Sequence, residues 1–288
     1  MVDNESVVTE TMMPVNGIEV CIETFGEPTD PALLLIAGGA SAMDWWEDEF
    51  CRRLAAGERF VIRYDHRDTG RSTSFPAGNP PYSGVDMAND ALGVLDALGI
   101  HKAHLVGLSM GGGLAQRIAI ERPHRVLSLT LMSSSPGRVA GDEPAVRDPG
   151  PPPPVTDWSD RRTAVACLAE QVREQGGPFT ADGAHLRRLA ERVFDRTHDM
   201  AASQRNHWLI DWGPPLRDRL CSISVPTLVM HGTLDRLFPA GHPQALVGEI
   251  PGARLVWLEG VGHEFPPMAV WSTVIDEILG QARGRLPA

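Results

Sequence analysis

The sequence predicts an α/β fold: a mostly parallel, doubly wound sheet with an inserted helical segment. Three observations carry this. Short, nearly continuous apolar runs recur along the chain, each ending in turn residues, as strands do when both faces of a parallel sheet are buried. Helical patterns alternate with these runs, the signature of βαβ units with right-handed crossovers. One long stretch, 137–220, holds no apolar strand run yet carries helical patterns of its own.

Taken in order, residues 5–24 read as an antiparallel hairpin turning at Asn16-Gly17. Strands follow at 33–36, stopping at Gly38-Gly39, at 60–64, stopping at Asp65, and at 104–108, stopping at Ser109. Between the last two, residues 87–98 place Met87, Ala91, Val94, Leu95 and Leu98 near one helical face. A helix over 112–120 ends at Arg122-Pro123, and a strand over 126–132 ends in three serines and Pro136. The stretch 141–154 then holds six prolines, four of them consecutive, which predicts a stiff, extended linker. Helices around 162–175 and 184–194 come next. Strands at 227–230 and 255–258 and helices at 244–250 and 270–278 complete the pattern. The expected organisation is a core of 1–136 and 221–288, with 137–220 as a helical cap over the carboxyl edge of the sheet.

Composition excludes several classes. Hydrophobic residues make up 42% of the 288 residues, enough for a sizeable core and far above a disordered chain. The net charge of −11 argues against a nucleic-acid partner, and the acidic balance suits neutral or cationic small molecules. Lys102 is the only lysine among 26 basic residues, a genomic bias with no chemical role. Cys21, Cys51, Cys167 and Cys221 form no CxxC pair and are expected as free thiols, buried or partly so. The amino-terminal residues lack a basic and apolar leader, and no apolar run approaches the ~18 residues of a membrane span, so a soluble, cytoplasmic protein is expected. The ten histidines show no HxH or HExxH spacing and no GxGxxG follows a strand, so neither metal nor cofactor is expected.

The sharpest local signal is Gly107-Leu108-Ser109-Met110-Gly111. A serine between a buried strand and a helix must sit on a tight, strained turn to project its hydroxyl above the sheet, and bulk two residues either side would strike backbone. That makes Ser109 the candidate nucleophile. A serine hydroxyl needs a base, and His263, on the loop after the last strand, is in the expected place. His231 is its nearest competitor, while His66 and His104 read as structural. Asp235, after the preceding strand, is the acid that would orient the imidazole. The N–H groups of Met110, at a helix N-terminus, and of Gly39, in the Gly38-Gly39 loop, are the expected oxyanion donors.

The order Ser109, Asp235, His263 and the turn Asp65-His66-Arg67-Asp68-Thr69-Gly70-Arg71-Ser72 together resemble the α/β-hydrolase superfamily over nearly the whole chain. The stretches from Arg63 to Thr73 and from Val106 to Gly111 resemble the aclacinomycin methylesterases and the macrolide esterases of resistance cassettes. The resemblance implies a serine esterase acting through an acyl-enzyme. Perhydrolases and carbon–carbon hydrolases share the same triad and stay open as alternatives, whereas dehalogenases and epoxide hydrolases place aspartate where Ser109 stands. A non-catalytic binder on this fold is a further rival.

Seven tryptophans against two tyrosines suggest flat apolar surface for a bulky ester or lactone. Trp45 and Trp46 beside the oxyanion loop, Trp208 and Trp212 in the cap, and Phe265 and Met110 beside the catalytic residues are the candidate substrate contacts. A macrolide-like cyclic ester is the expected substrate, with an anthracycline-type methyl ester as the alternative.

Overall fold

The computed structural model describes residues 10–137 and 156–283. The proline-rich linker expected at 141–154, and the start of the expected hairpin, lie outside the described residues.

The chain opens with a hairpin of β1 (Thr11–Val15) and β2 (Ile18–Phe25). Its two-residue turn has positive φ at both Asn16 (48°) and Gly17 (78°), a twist that matches the flanking strands. Six further strands follow: β3 (Ala32–Ile36), β4 (Phe60–Tyr64), β5 (Ala103–Leu108), β6 (Val126–Met132), β7 (Thr227–Gly232) and β8 (Arg254–Leu258). They form one eight-stranded sheet of order β1-β2-β4-β3-β5-β6-β7-β8, antiparallel at the β1–β2 and β2–β4 pairs and parallel elsewhere. The chain passes outward from β3 to β4, then crosses back over β3 to β5. The strand order therefore reverses between β3 and β5, and a crevice opens there at the carboxyl ends.

Successive side chains point to opposite faces, so the strands from β2 to β8 feed two cores. Leu34, Ile36, Ile62, Tyr64 and Leu105 pack under α2 (Gly84–Ala97), α3 (Met110–Glu121) and α7 (Gly241–Glu249). Leu33, Leu35, Val61, Val106 and Leu108 pack under α1 (Asp48–Ala55) and α8 (Trp271–Ala282). The helix α1, not expected from the sequence, exists because Phe50, Cys51 and Leu54 share one buried face. Ser83 and Asp86 start α2 with a reciprocal capping box. All four cysteines are free thiols. Cys21 and Cys51 are buried and Cys167 partly so, but Cys221 is exposed, unlike the expectation.

Between β6 and β7 lie α4 (Arg161–Gln175), α5 (Gly183–Arg196), α6 (Met200–Arg205) and a 3-10 turn, Asn206–Trp208. Each α-helix starts on an aspartate cap: Asp160 accepts from Thr163 N–H, Asp182 from His185 N–H and Asp199 from Ala202 N–H. Val165, Leu168, Ala190, Val193 and Met200 close a third core with Ala42 and Trp45. Ionic contacts add to it. Arg196 of α5 pairs with Asp44, with Glu10 and, at 2.8 Å, with Asp65, while Arg192 reaches Asp44 at 2.6 Å and Asp48 at 3.1 Å. The chain rejoins the main core sooner than residue 221: Ile210, Leu216 and Leu220 already pack with the α2 and α3 face.

Candidate active site

Ser109 stands between β5 and α3 with φ 51° and ψ −115°, a conformation an L-residue adopts only where its surroundings enforce it. The enforcement is visible. Its N–H donates to Met132 O of the neighbouring strand at 2.8 Å. A Cβ at Gly107 would strike the Gly111 carbonyl, and one at Gly111 would strike the carbonyls of Ile36 and Ala37. Only glycine on both sides lets the turn close this tightly.

His263 Nε2 lies 3.0 Å from Ser109 Oγ, and His263 Nδ1 lies 2.8 Å from Asp235 Oδ2. With the proton on Nδ1, facing the carboxylate, Nε2 is left to accept the serine proton. The other oxygen of Asp235 accepts from the N–H groups of Leu237 (2.9 Å) and Phe238 (2.8 Å), so the carboxylate cannot rotate away. Burial pushes Asp235 upward, but the hydrogen bond and charge of His263 and the Phe238 N–H more than offset it. The acid stays ionised below the usual carboxylate range.

The loop of His263 is held by the insertion. His263 N–H donates to Gln175 O, the last residue of α4, at 2.7 Å. The buried Glu264 carboxylate accepts from Thr180 Oγ1 (2.8 Å), Gly177 N–H (3.1 Å) and Gly262 N–H (3.3 Å), although burial raises its pKa. Phe238 sets its ring edge-on to His263 at 5.3 Å.

The competing histidines are engaged elsewhere. His231 donates to Phe238 O at 2.8 Å and flanks Asp235 at 3.4 Å. His66 faces Ala37 O at 3.1 Å, with its pKa driven down to about 3 by burial. His104 pairs with Ser128 Oγ, driven down to about 4 by burial.

Met110 follows Ser109 as the first residue of α3, and Gly39 lies on the loop after β3, where the neighbouring Gly38 faces the Ser109 side chain. The Met110 side chain is almost buried in the α3 core. The tryptophans divide. Trp208 is 62% exposed and its ring lies over Gly39, where a Cβ would stand 2.5 Å from Cη2 and 3.0 Å from Cζ3. Phe265, partly buried, stacks on Trp45 at 6.4 Å and meets Trp46 edge-on at 4.9 Å.

Three of the expected contacts are engaged in packing. Trp46 is 1% exposed and packs on Phe50, inside the core that underlies α1 and α8. Trp45 is buried in the seam between core and insertion. Trp212, 40% exposed, lies against Gly84 of α2, with its carbonyl taking a 2.7 Å hydrogen bond from Arg117. Position near a motif in sequence does not say which way an indole points. Phe238 and Glu264 were not anticipated, nor were Gln204 and His207, which bond Ala40 beside Gly39 at 3.1 Å and 2.9 Å. Phe238 and Glu264 adjoin expected residues, but His207 has no local signal, because its partners are far away in the chain.

The arrangement is that of a serine hydrolase, and comparison with known proteins agrees. Residues 31–164 match the model of the alpha/beta hydrolase fold family. The rhodomycin D methylesterases DauP of Streptomyces sp. and DnrP of Streptomyces peucetius are each 36% identical to the chain, over 88% of it and 92% of their own length. The crystal structure of an enol-lactonase from Burkholderia xenovorans superposes with a TM-score of 0.74 at 26% identity, covering 95% of this chain and all of that one. The chain belongs to the α/β-hydrolase family, and its class is that of the carboxylic ester hydrolases. Among the described residues no helix is long and apolar enough to cross a membrane.

Proposed function

We propose that the protein is a serine esterase that removes the methyl ester of an anthracycline-like polyketide. The observation that carries the substrate class is the 36% identity to two rhodomycin D methylesterases along nearly their whole length. The exposed indole of Trp208 over Gly39 supports it, since a flat apolar face beside the serine suits a polycyclic aromatic acid.

In this reading Ser109 Oγ attacks the ester carbonyl while His263 Nε2 takes its proton, and Asp235 stabilises the resulting imidazolium. The N–H groups of Gly39 and Met110 receive the oxyanion at the carboxyl edge of the sheet. The imidazolium then protonates the departing methoxide, and methanol leaves. Water, activated by the same imidazole, hydrolyses the acyl-enzyme to the free acid. Helices α4 to α6 form the cap that walls the site, and the reaction takes place in the cytoplasm. Opening of a macrolide-like lactone is the second reading, favoured by the likeness to the enol-lactonase structure.

Mass spectrometry of anthracycline methyl esters and macrolides incubated with the protein separates the two. Loss of one methylene mass with release of methanol supports the methylesterase. Gain of one water without fragmentation supports the lactonase. Ser109→Ala should lower turnover by about 10⁶-fold. Retention of full turnover by that variant in a clean preparation overturns both readings.

A further inference from the structure

The loop that carries Gly39 has an unusual feature for a non-glycine residue. Ala40 has φ 56°, a left-handed conformation that a Cβ-bearing residue rarely adopts. Such a backbone persists only where outside contacts fix it. Here they come from the far end of the helical insertion. Ala40 N–H donates to Nδ1 of His207 at 2.9 Å, and Gln204 Nε2 donates to Ala40 O at 3.1 Å. Ser41 Oγ donates to Gly39 O at 3.2 Å. Both ends of the Gly39–Ala40 peptide unit are therefore restrained. His66 Nε2 holds Ala37 O at the other end of the loop and meets the His207 ring edge-on at 5.9 Å.

His207 is itself fully determined. It is completely buried, and its Nε2 donates to Arg67 O at 2.8 Å. That bond places the ring proton on Nε2 and leaves a lone pair on Nδ1, facing Ala40. Burial holds its pKa below the ordinary histidine value, so the ring stays neutral and the acceptor is kept. The preceding residue secures the turn: Asn206 Nδ2 donates to Asp68 Oδ2 at 2.9 Å, and its Oδ1 accepts from Gly78 N–H at 2.7 Å. The following residue, Trp208, covers Gly39. The turn from Asp65 to Ser72 is thus the platform on which the insertion comes to rest.

We infer that His207 is a positioning residue of the oxyanion hole: by fixing the Gly39–Ala40 peptide it fixes the course of the loop through Gly39, and with it the place of the Gly39 N–H on the preceding peptide, facing the developing charge. This rests on the serine-esterase reading above. Losing the Nδ1 acceptor lets Ala40 relax toward an ordinary alanine conformation, which shifts the loop at Gly39 and moves its N–H away from the transition state, while the ground-state ester binds as before.

The test uses two substitutions that each keep one half of the imidazole. His207→Gln keeps a donor toward Arg67 O but offers Ala40 no acceptor. His207→Asn keeps an oxygen in the place of Nδ1. With p-nitrophenyl acetate, His207→Gln should lower kcat about 10–100-fold with KM within about 3-fold, and weaken a trifluoromethyl ketone inhibitor in parallel. His207→Asn should stay within about 5-fold of wild-type kcat. Equal losses in the two variants, or a folded His207→Gln with wild-type kcat and ketone affinity, overturn the inference. Should His207→Gln not fold, Gln204→Ala at its half-buried site decides. A fall in kcat of about 2–5-fold without change in KM supports the inference, and unchanged kcat and ketone affinity overturn it. A wild-type protein that turns over no ester and resists the ketone would instead remove the esterase reading itself.

Discussion

The acid side and the oxyanion side of the site are built differently. Asp235 takes its geometry from close neighbours in sequence, Leu237 and Phe238, while the His263 loop combines its own Gly262–Glu264 turn with ties to Gln175, Gly177 and Thr180 of the insertion. The Gly39 loop takes its geometry from Gln204 and His207, more than 160 residues further along the chain. A short turn is enough to hold the Asp235 carboxylate, whereas the Gly39 loop depends on residues delivered from afar.

The steepest challenge to this contrast is Asp235→Asn. It leaves the fold intact but fixes the wrong tautomer on His263, and kcat should fall by about 10⁴-fold, read in steady-state kinetics. A loss under about tenfold would mean that the acid is supplied elsewhere. Next come two tryptophans a fold-blind reading would treat alike. Trp46→Ala empties a buried, stacked site and should destabilise by about 3–5 kcal/mol in denaturant unfolding. Trp208→Ala removes an exposed ring and should change stability by under about 0.5 kcal/mol while raising KM for a polycyclic ester roughly 10-fold. If the two variants behaved alike, the division between packing and platform would be wrong.

The smallest effect concerns Asp65, which links the structural turn to Arg196 of the insertion. Burial, with the nearby charge of Asp44, raises its pKa from 3.8 to about 6 in the folded chain, despite Arg196 and the N–H groups of Met43 and Arg71. A raised folded pKa means that its contribution favours folding below the unfolded value and is lost as pH rises through about 6. Asp65→Asn carries no such titration. The melting temperature of the variant relative to wild type should therefore rise between about pH 4 and about pH 7. A relative fall over that range would show the ion pair with Arg196 to outweigh the burial.

The sheet was legible because its strands are nearly continuous apolar runs, and the serine elbow because steric necessity writes glycine at fixed offsets from Ser109. Asp235 and His263 could be read from their places after the last two strands, since an open parallel sheet brings those ends together. The helix α1 escaped notice because its apolar face is only three residues wide. The surroundings of the tryptophans were not legible, for a different reason. Trp45 and Trp46 directly follow the oxyanion loop, yet one faces the insertion and the other faces α8. His207 could not be found by any spacing rule, because its role depends on a fold that brings Arg67 and Ala40 to opposite sides of one ring.

The anchoring of the insertion has a consequence for exchanging parts between relatives. Arg192 and Arg196 fasten its α5, Gln175 and Gly177 fasten the end of α4, and Asn206 and His207 fasten its return. A chimera made to change substrate range should place its second seam after Trp208, so that donor helices bring their own fastening to the acceptor scaffold. A seam drawn before Asn206 would graft a foreign wall onto a resident bracket, and the two need not share a geometry. The unit of inheritance in this enzyme is the wall together with the hinge pin that seats it.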